Sequence, residues 1–348
     1  MPTASVGMAH AKVWADQDSP QREFNRATMQ FDDKTLWLVG GVLVVLAIAT
    51  AVGQFFKHRT DGGLNPAAVQ TFTLRLRGYW IICAVLAATF VLGPTATVVL
   101  FGLISFWALR EFITLTPTRP ADHRALFWVF ILFTPLQYVL VGMGNAQYGI
   151  YSVLIPVYAF LFIPARIAWA GDYKRFLERI AMIQAGLMIC VYCLSYAPAL
   201  LYLDLPGPND TNGDRARLLF FFVLIVQMGD LLEYVWERLL GRHVIAPAIH
   251  PNKTWEGFIG GVASATLLGS VLWWATPFEP WQAAGFSLVV SVMGFAGGLT
   301  MSAIKRDRNV RDYGTLVKGH GGVLDRLDSI CFAAPIFFHM VRFFFTGG

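Results

Sequence analysis

Long runs of apolar residues alternate with short polar stretches along most of this 348-residue chain. A helix rises 1.5 Å per residue, and about 20 apolar residues cross the hydrocarbon core of a bilayer. The pattern therefore predicts an all-α fold, a polytopic transmembrane helical bundle of about ten spans. The predicted spans are residues 35–56, 79–92, 95–109, 126–142, 148–165, 181–203, 216–232, 257–276, 283–301 and 329–346.

Glycine and proline interrupt several of these runs. Gly93-Pro94 alone separates the second run from the third, which predicts either a tight hairpin or one interrupted element. Kinks that neighbouring helices or water can accommodate are predicted at Pro135, Pro156, Pro164 and Pro198.

Composition supports a membrane protein. Charged residues make up 14% of the chain and the mean hydropathy is +0.54, whereas a soluble chain carries about 25% charged residues. Residues 1–34 are polar and lack the apolar segment of a signal peptide. Cys190 and Cys193 have CxxC spacing but lie within an apolar run, which favours small buried residues over a metal or redox site.

The positive charges are unevenly distributed among the loops. With ten spans, one side of the membrane carries 20 of the 27 Lys and Arg residues. Cytoplasmic loops carry an excess of Lys and Arg, so this side is predicted to be cytoplasmic and the N-terminus extracytoplasmic. The five basic loops are 57–78, 110–125, 166–180, 233–256 and 302–328.

The last basic loop, residues 302–328, is the most polar part of the chain outside its N-terminus. It contains six Lys or Arg, four Asp, one His and four Gly. Carboxylates bind hard cations, Lys and Arg bind phosphate, and glycine allows close approach of the backbone. The loop therefore predicts a metal and phosphate site at the cytoplasmic face.

Asp325 and Asp328 are three residues apart at the start of the last span. On a helix they would share a face and could hold a divalent cation. The alternative is a pair that complements the helix dipole at its N-terminus. Arg326 would point elsewhere and could bind a phosphate or a lipid headgroup.

Other residues of this loop suit phosphate binding. Lys305 and Arg306 follow the ninth span and could clamp a triphosphate or anchor the span at the membrane surface. Gly321 and Gly322 could turn backbone N–H groups towards phosphate oxygens. His320 could bind a phosphate or a base, or have a structural role.

Two further segments on the same predicted side carry candidate residues. Before the eighth span, Pro251-Asn252 predicts a turn, Thr254 a helix cap, and Lys253 an anion site at the helix N-terminus. At the end of the seventh span, Asp230 and Glu233 share a helix face, and charge near the membrane core needs a partner or a metal.

Two segments together resemble a known family. The first reads Ser302-x-Ile304-Lys305-Arg306-x4-Arg311-Asp312-x-Gly314, followed by His320-Gly321-Gly322-x2-Asp325-Arg326-x-Asp328, and the second reads PNKTWEGFIGG over residues 251–261. They resemble the CDP-diacylglycerol synthase (phosphatidate cytidylyltransferase) family, over residues 74–348. Arg311, Lys318 and the segment 231–233 depart from the family pattern and indicate a divergent subgroup.

The resemblance implies transfer of the cytidylyl group of CTP to phosphatidate, with pyrophosphate as the second product. It implies one or two Mg²⁺ ions, with a monovalent cation as a further option, held by Asp230, Asp312, Asp325 and Asp328. It implies catalytic roles for Asp312, Asp325, Asp328, Lys305 and Arg306, and substrate contacts from Lys253, Arg311, His320, Gly321, Gly322 and Arg326. The lipid phosphate would meet Arg326 or Lys318.

The expected partners are CTP, phosphatidate or a related lipid phosphate, membrane lipids and a second copy in a homodimer, but no nucleic acid. The expected location is the bacterial inner membrane. Residues 1–70 are expected to form a polar segment with an additional transmembrane helix and a linker, and residues 71–348 the catalytic domain.

Two other functions are compatible with the chain. One is a CTP-dependent transferase or kinase that acts on another lipid, such as a polyprenol or a different lipid phosphate. The other is a transporter or scaffold, which would place charges along several helices at mid-membrane depth. The charges of this chain lie mainly in loops on one side, which favours an enzyme.

Overall fold

The computed structural model describes residues 33–58, 66–205, 212–314 and 321–346. Over these residues the chain is almost entirely helical, which confirms the predicted all-α fold. The helices are α1 (Asp33–His58), α2 (Pro66–Thr114), α3 (Pro120–Gly142), α4 (Asn145–Ala168), α5 (Phe176–Tyr202), α6 (Asn212–Leu240), α7 (Trp255–Ala275), α8 (Pro280–Asp307) and α9 (Asp328–Phe345).

Among the described residues, eight helices are long and apolar enough to cross a membrane. They are the second part of α2, Gly93–Thr114, and helices α3 to α9. These coincide with eight of the ten predicted runs, and the other two runs lie in α1 and in the first part of α2. Large apolar side chains such as Leu103, Ile131, Leu267 and Phe343 are exposed on the outside of the bundle, as lipid-facing residues would be. The chain is a polytopic membrane protein.

Helix α2 is the interrupted element that was one of the two alternatives predicted at Gly93-Pro94. Gly93 has φ 84° and ψ 175°, a backbone conformation that glycine adopts without steric cost. The hydroxyl of Thr97 donates a hydrogen bond of 2.9 Å to the carbonyl of Gly93, four residues before it.

The helix geometry changes near three of the four prolines for which kinks were predicted. Wide π-type turns occur at Val129–Phe133, Leu154–Ala159 and Met188–Cys193. Pro156 lies inside the second turn, while Pro135 and Pro198 follow the other two. A proline lacks an N–H and disturbs the regular helical ladder, which a wider turn accommodates. Cys190 and Cys193 are free thiols in α5, where Cys190 is buried, as predicted, and Cys193 is half-buried.

A short antiparallel hairpin joins α6 to α7. Strand β1 (Val244–Ala246) pairs with β2 (His250–Thr254), and residues 247–249 form the turn. The turn predicted at Pro251-Asn252 is therefore wrong, because these residues lie in β2. In a two-stranded hairpin each strand has a free edge, where a proline is tolerated. The predicted cap is confirmed, since the Thr254 hydroxyl accepts a 3.1 Å bond from the N–H of Gly257.

The four C-terminal helices pack successively against one another and form the part of the bundle that holds the site. Phe222 of α6 stacks on Phe337 of α9 with ring centroids 5.1 Å apart in the centre of this group. Because the chain alternates in direction, the end of α6, the start of α7, the end of α8 and the start of α9 meet at one end of the bundle.

Four of the five basic loops lie at this same end and contact one another. The contacts are Arg119–Asp172 at 2.9 Å, Arg308–Glu178 at 3.5 Å, and the Arg306 side chain to the Ile249 carbonyl at 3.1 Å. The loops that were grouped by their charge are thus also grouped in space.

Candidate active site

The polar segment after α8 folds back between the ends of α2, α6, α8 and α9. The structure describes its first part up to Gly314 and resumes at Gly321. The predicted residues Lys318 and His320 lie outside the described residues. Every other candidate residue is described, and most of them lie within two groups at this end of the bundle.

The first group is centred on Asp325. Lys305, in the last turn of α8, places its ammonium 2.8 Å from one carboxylate oxygen of Asp325. The other oxygen accepts the backbone N–H groups of Tyr313 and Gly322, both at 2.9 Å. Both oxygens of Asp325 are therefore bound by the protein itself, and they fasten both described ends of the loop to α8.

Tyr313 anchors the first of these ends. Its side chain is buried, and its hydroxyl donates a 2.9 Å bond to the carbonyl of Met301 in α8. Burial raises the pKa of the Tyr313 hydroxyl, so it stays protonated and keeps this bond. The ring also stacks on Phe112 of α2, with centroids 6.2 Å apart, so the loop contacts two helices through one side chain.

Gly321 lies at the second end and has φ +79°, in the left-handed region that favours glycine. A Cβ atom at this position would lie 2.8 Å from a carboxylate oxygen of Asp325 and 3.4 Å from one of Asp312. Asp312 is exposed, so its carboxylate lies beside Asp325 on the solvent side of the loop.

The second group is centred on Ser329, in the first turn of α9. Its backbone N–H donates a 2.9 Å bond to Asp328, and its hydroxyl donates a 3.0 Å bond to Asp230 of α6. Two predicted carboxylates thus meet around one serine. Ser329 was not among the predicted site residues, and its position in an apolar run gave no signal of this role.

The sequence pattern predicted that Asp325 and Asp328 share a face of one helix, and this prediction is wrong. Asp325 lies in a separate 3₁₀ turn, Leu324–Arg326, and α9 begins at Asp328. Leu327, with φ −110° and ψ −5°, separates the two elements. The two aspartates therefore belong to different groups.

Lys253, from the hairpin, joins the second group. Its ammonium lies 3.0 Å from Glu233, and the two side chains are only 12% and 10% exposed. A Cβ atom at Gly298 would lie 3.4 Å from the Lys253 ammonium and 3.9 Å from Asp328, so the lysine also lies beside that carboxylate. Glu233 was predicted to need a partner, and Lys253 is that partner.

A small cleft between α6, α7 and α8 opens beside this group. Its polar lining is Asp230, Glu233 and Ser291, and its apolar lining includes Phe258 and Phe295. The Lys253 ammonium lies 4.3 Å from the centre of the Phe295 ring. The second group therefore combines carboxylates, a cation and an apolar wall.

The predicted arginines lie around these groups. The Arg306 side chain donates to the Ile249 carbonyl at 3.1 Å, which joins the loop to the hairpin. Arg311 is exposed and Arg326 is half-buried. Their predicted contacts with phosphate stay predictions.

Glu111 lies at the end of α2 and was not among the predicted site residues. It is buried, and its two oxygens accept the backbone N–H groups of Val323 at 3.0 Å and Leu324 at 2.9 Å. A charged residue at a span end needs a partner. That rule could flag Glu111, but it could not identify a partner 212 residues away.

The number and position of the carboxylates bear on whether they could hold Mg²⁺. Among the described residues, no group of three or more His, Cys, Asp or Glu side chains could hold a metal ion. Mg²⁺ is commonly held by one or two carboxylates, with water and substrate phosphates as its other ligands. Asp230 and Asp328 are such a pair, so the donor set fits an ion that binds together with a triphosphate.

The fold and the site together define the class of protein. It is a polytopic membrane protein in which acidic and basic side chains lie together at one end of the helical bundle. Residues 73–344 match the sequence model of the cytidylyltransferase family. The chain therefore belongs to the cytidylyltransferase family, and this membership supports a nucleotidyltransferase enzyme.

Two kinds of relative match the chain. The uncharacterized protein YnbB of Escherichia coli (strain K12) is 35% identical over 309 residues, which cover 87% of this chain and 96% of YnbB. Phosphatidate cytidylyltransferases of Staphylococcus haemolyticus and Staphylococcus epidermidis are 36% and 37% identical over 128 and 129 residues. These matches cover 36% of this chain and about half the length of those enzymes. The family resemblance is confirmed, and the pattern is consistent with a divergent subgroup.

Proposed function

We propose that this protein transfers the cytidylyl group of CTP to phosphatidate, giving CDP-diacylglycerol and pyrophosphate. The observation that carries the proposal is the gathering of Lys253 and Lys305 with Asp230, Asp325 and Asp328 at one end of a membrane bundle. Family membership and the partial matches to phosphatidate cytidylyltransferases support the same reaction.

In this reaction an oxygen of the lipid phosphate attacks the α-phosphorus of CTP. A P–O bond forms, the bond to the β-phosphate breaks, and pyrophosphate leaves with its electrons. The second pKa of a phosphomonoester is about 6, so the attacking oxygen is largely ionised and needs no strong general base. A site of Asp, Lys and Arg side chains is suited to this chemistry.

The main barrier is repulsion between two anionic substrates, which positioned cations offset. Lys253 and Lys305 would bind phosphate oxygens by exchanging part of their contact with Glu233 and Asp325. Arg306 and Arg311 would add positive charge at the mouth of the site. Bound Mg²⁺ would neutralise the triphosphate and polarise its oxygens. Asp230 and Asp328 would hold it, and Asp312 and Asp325 are the further ligands that the family resemblance implies.

The proposed location is the bacterial inner membrane, with the site facing the cytoplasm. The excess of Lys and Arg on one side supports this orientation. The contacts between four of the basic loops support it further, because they put those charges at the same end as the site. CTP is made in the cytoplasm, so the orientation gives the site access to its nucleotide.

A second candidate is CTP-dependent transfer to another lipid. The Glu233 carboxylate beside Lys253 lowers the net positive charge at this point, which would suit an acceptor less anionic than phosphatidate. The match to YnbB, which covers 96% of that protein and whose name states no activity, is compatible with such an acceptor.

The test is incubation of the purified full chain with Mg²⁺, phosphatidate and CTP labelled at the α-phosphorus, with mass analysis of the lipid. Labelled CDP-diacylglycerol and free pyrophosphate are expected. Release of CDP together with an unlabelled, phosphorylated lipid would indicate the kinase. No labelled lipid with phosphatidate, but labelled product with another lipid phosphate, would reject phosphatidate as the acceptor.

A further inference from the structure

The carboxylate of Glu111 lies where the two described ends of the polar loop meet. Its side chain is buried, with 5% exposure, and reaches from the end of α2 into the loop. Each oxygen accepts one backbone N–H, from Val323 at 3.0 Å and from Leu324 at 2.9 Å. The carboxylate therefore has a specific hydrogen-bonding role and is not simply a charge at the membrane surface.

Two glycines make room for this carboxylate. A Cβ atom at Gly314 would lie 2.6 Å from one oxygen of Glu111, and a Cβ atom at Gly322 would lie 2.4 Å from the other. At either position a Cβ atom would displace the Glu111 carboxylate from where it lies. The Glu111 carboxylate thus lies beside both Gly314 and Gly322, the described residues on either side of 315–320.

Glu111 and Asp325 hold the same loop from opposite sides. Asp325 accepts N–H groups from Tyr313 and Gly322 and is bound to Lys305 of α8. Glu111 accepts N–H groups at the start of the 3₁₀ turn, Leu324–Arg326, that contains Asp325. The orientation of Asp325 towards Lys305 therefore depends on where Glu111 holds that turn.

We infer that Glu111 is a positioning residue that clamps the segment 322–324 beside Gly314 and thereby sets the Lys305–Asp325 pair for the transfer step. This inference rests on the proposed function only for its effect on catalysis. Glu111 acts through the backbone of the loop and does not itself contact the substrates. This role requires two acceptor atoms at position 111. A glutamine cannot supply both, because its NH₂ group is a donor and would face an N–H group.

The first measurement is hydrogen exchange on the full chain in detergent, without substrates. In Glu111→Gln, exchange at the amides of Val323 and Leu324 should be about tenfold faster, since each loses or weakens a hydrogen bond to a charged acceptor. The matched control is Glu279→Gln, the same change at the opposite end of the bundle, which should leave these two amides unchanged. Equal exchange in Glu111→Gln and wild type would overturn the inference.

The second measurement separates positioning from general loss of structure. For Glu111→Gln, kcat should fall about tenfold or more, while KM for the lipid changes less than about twofold. Glu111→Asp keeps both acceptor oxygens on a side chain that is one methylene shorter. It should therefore recover part of the amide protection and part of kcat. If Glu111→Gln does not fold, Glu111→Asp alone tests the inference. A Glu111→Asp variant with reduced kcat but wild-type exchange at the amides of Val323 and Leu324 would then reject the clamp.

The two proposals fail in different ways. The exchange measurement needs no substrate, so it tests the clamp even if wild-type protein transfers nothing to phosphatidate. A wild-type protein that transfers nothing to phosphatidate would reject only the proposed reaction. Normal transfer by Glu111→Gln, with fast exchange at both amides, would reject the link between the clamp and catalysis.

Discussion

The ammonium of Lys305 and the carboxylate of Asp325 lie 2.8 Å apart, at the end of α8 and in the loop that precedes α9. Their side chains are 17% and 9% exposed, so neither charge is well solvated. Removal of one partner would leave the other charge poorly compensated. The pair is therefore a unit, and its two members should be tested together.

We expect Lys305→Met and Asp325→Asn each to reduce kcat/KM about 100-fold, and the double variant to lose little more than either single one. The reason is that each change already destroys the same contact. The measurement is a double-mutant cycle on labelled-CTP transfer. Asp307→Asn, an exposed aspartate at the end of α8, is the control and should transfer at the normal rate. Fully additive losses would show that the two residues act independently.

Ser329 links the two carboxylates proposed to hold Mg²⁺. In Ser329→Ala, Asp230 loses the hydrogen bond that orients it, so the Mg²⁺ concentration for half-maximal activity should rise about tenfold. Ser287→Ala is the control, since within the described structure the buried Ser287 hydroxyl has no hydrogen-bond partner. That variant should keep the wild-type requirement. An unchanged Mg²⁺ requirement in Ser329→Ala would contradict the assignment of Asp230 and Asp328.

The contact between α6 and α7 depends on a small residue at Gly261. A Cβ atom there would lie 2.8 Å from the Cα of Glu233, so the helices would have to separate. Gly261→Ala should reduce the free energy of unfolding by about 1–3 kcal/mol and weaken transfer, because it displaces the partner of Lys253. Gly285→Ala is the control, as nothing lies within 4 Å of that position. Thermal unfolding in detergent checks both, and equal melting temperatures would contradict the packing argument.

Arg179 of α5 carries a buried ion pair at the same end of the bundle. Its side chain is 1% exposed, and it lies 3.3 Å from Asp122, which is fully buried. Arg179→Met should destabilise the protein by about 3–5 kcal/mol, because it leaves Asp122 without this partner. Arg175→Met breaks the exposed pair with Glu178 and should leave the melting temperature unchanged. Similar melting temperatures for the two variants would contradict this distinction.

The sequence predicted the elements whose signal is local. Eight of the apolar runs are spans because hydropathy acts over about 20 consecutive residues. Lys305 and Asp325 could be predicted as site residues because charge is unusual beside apolar runs. The turn at Pro251-Asn252 was misassigned because strand pairing within the hairpin overrode a local preference.

The contacts between distant segments could not be predicted in this way. Glu111 and Val323 are 212 residues apart, and nothing in either segment specifies the other. The separation of Asp325 from Asp328 depends on the backbone of Leu327, which has no distinctive sequence signal. These features follow from how the helices pack, and hydrophobic periodicity does not determine that packing uniquely.

The orientation of the site in the membrane can be tested with two added thiols. Asp307 is exposed at the site end of α8, and Pro277 is exposed between α7 and α8 at the other end. In intact cells a membrane-impermeant maleimide should label Pro277→Cys, and in inside-out vesicles it should label Asp307→Cys. The wild-type chain, whose native cysteines lie in apolar runs, gives the background. The reverse pattern would put the site outside the cytoplasm, away from CTP, and would remove the support that loop charge gives to the proposed reaction.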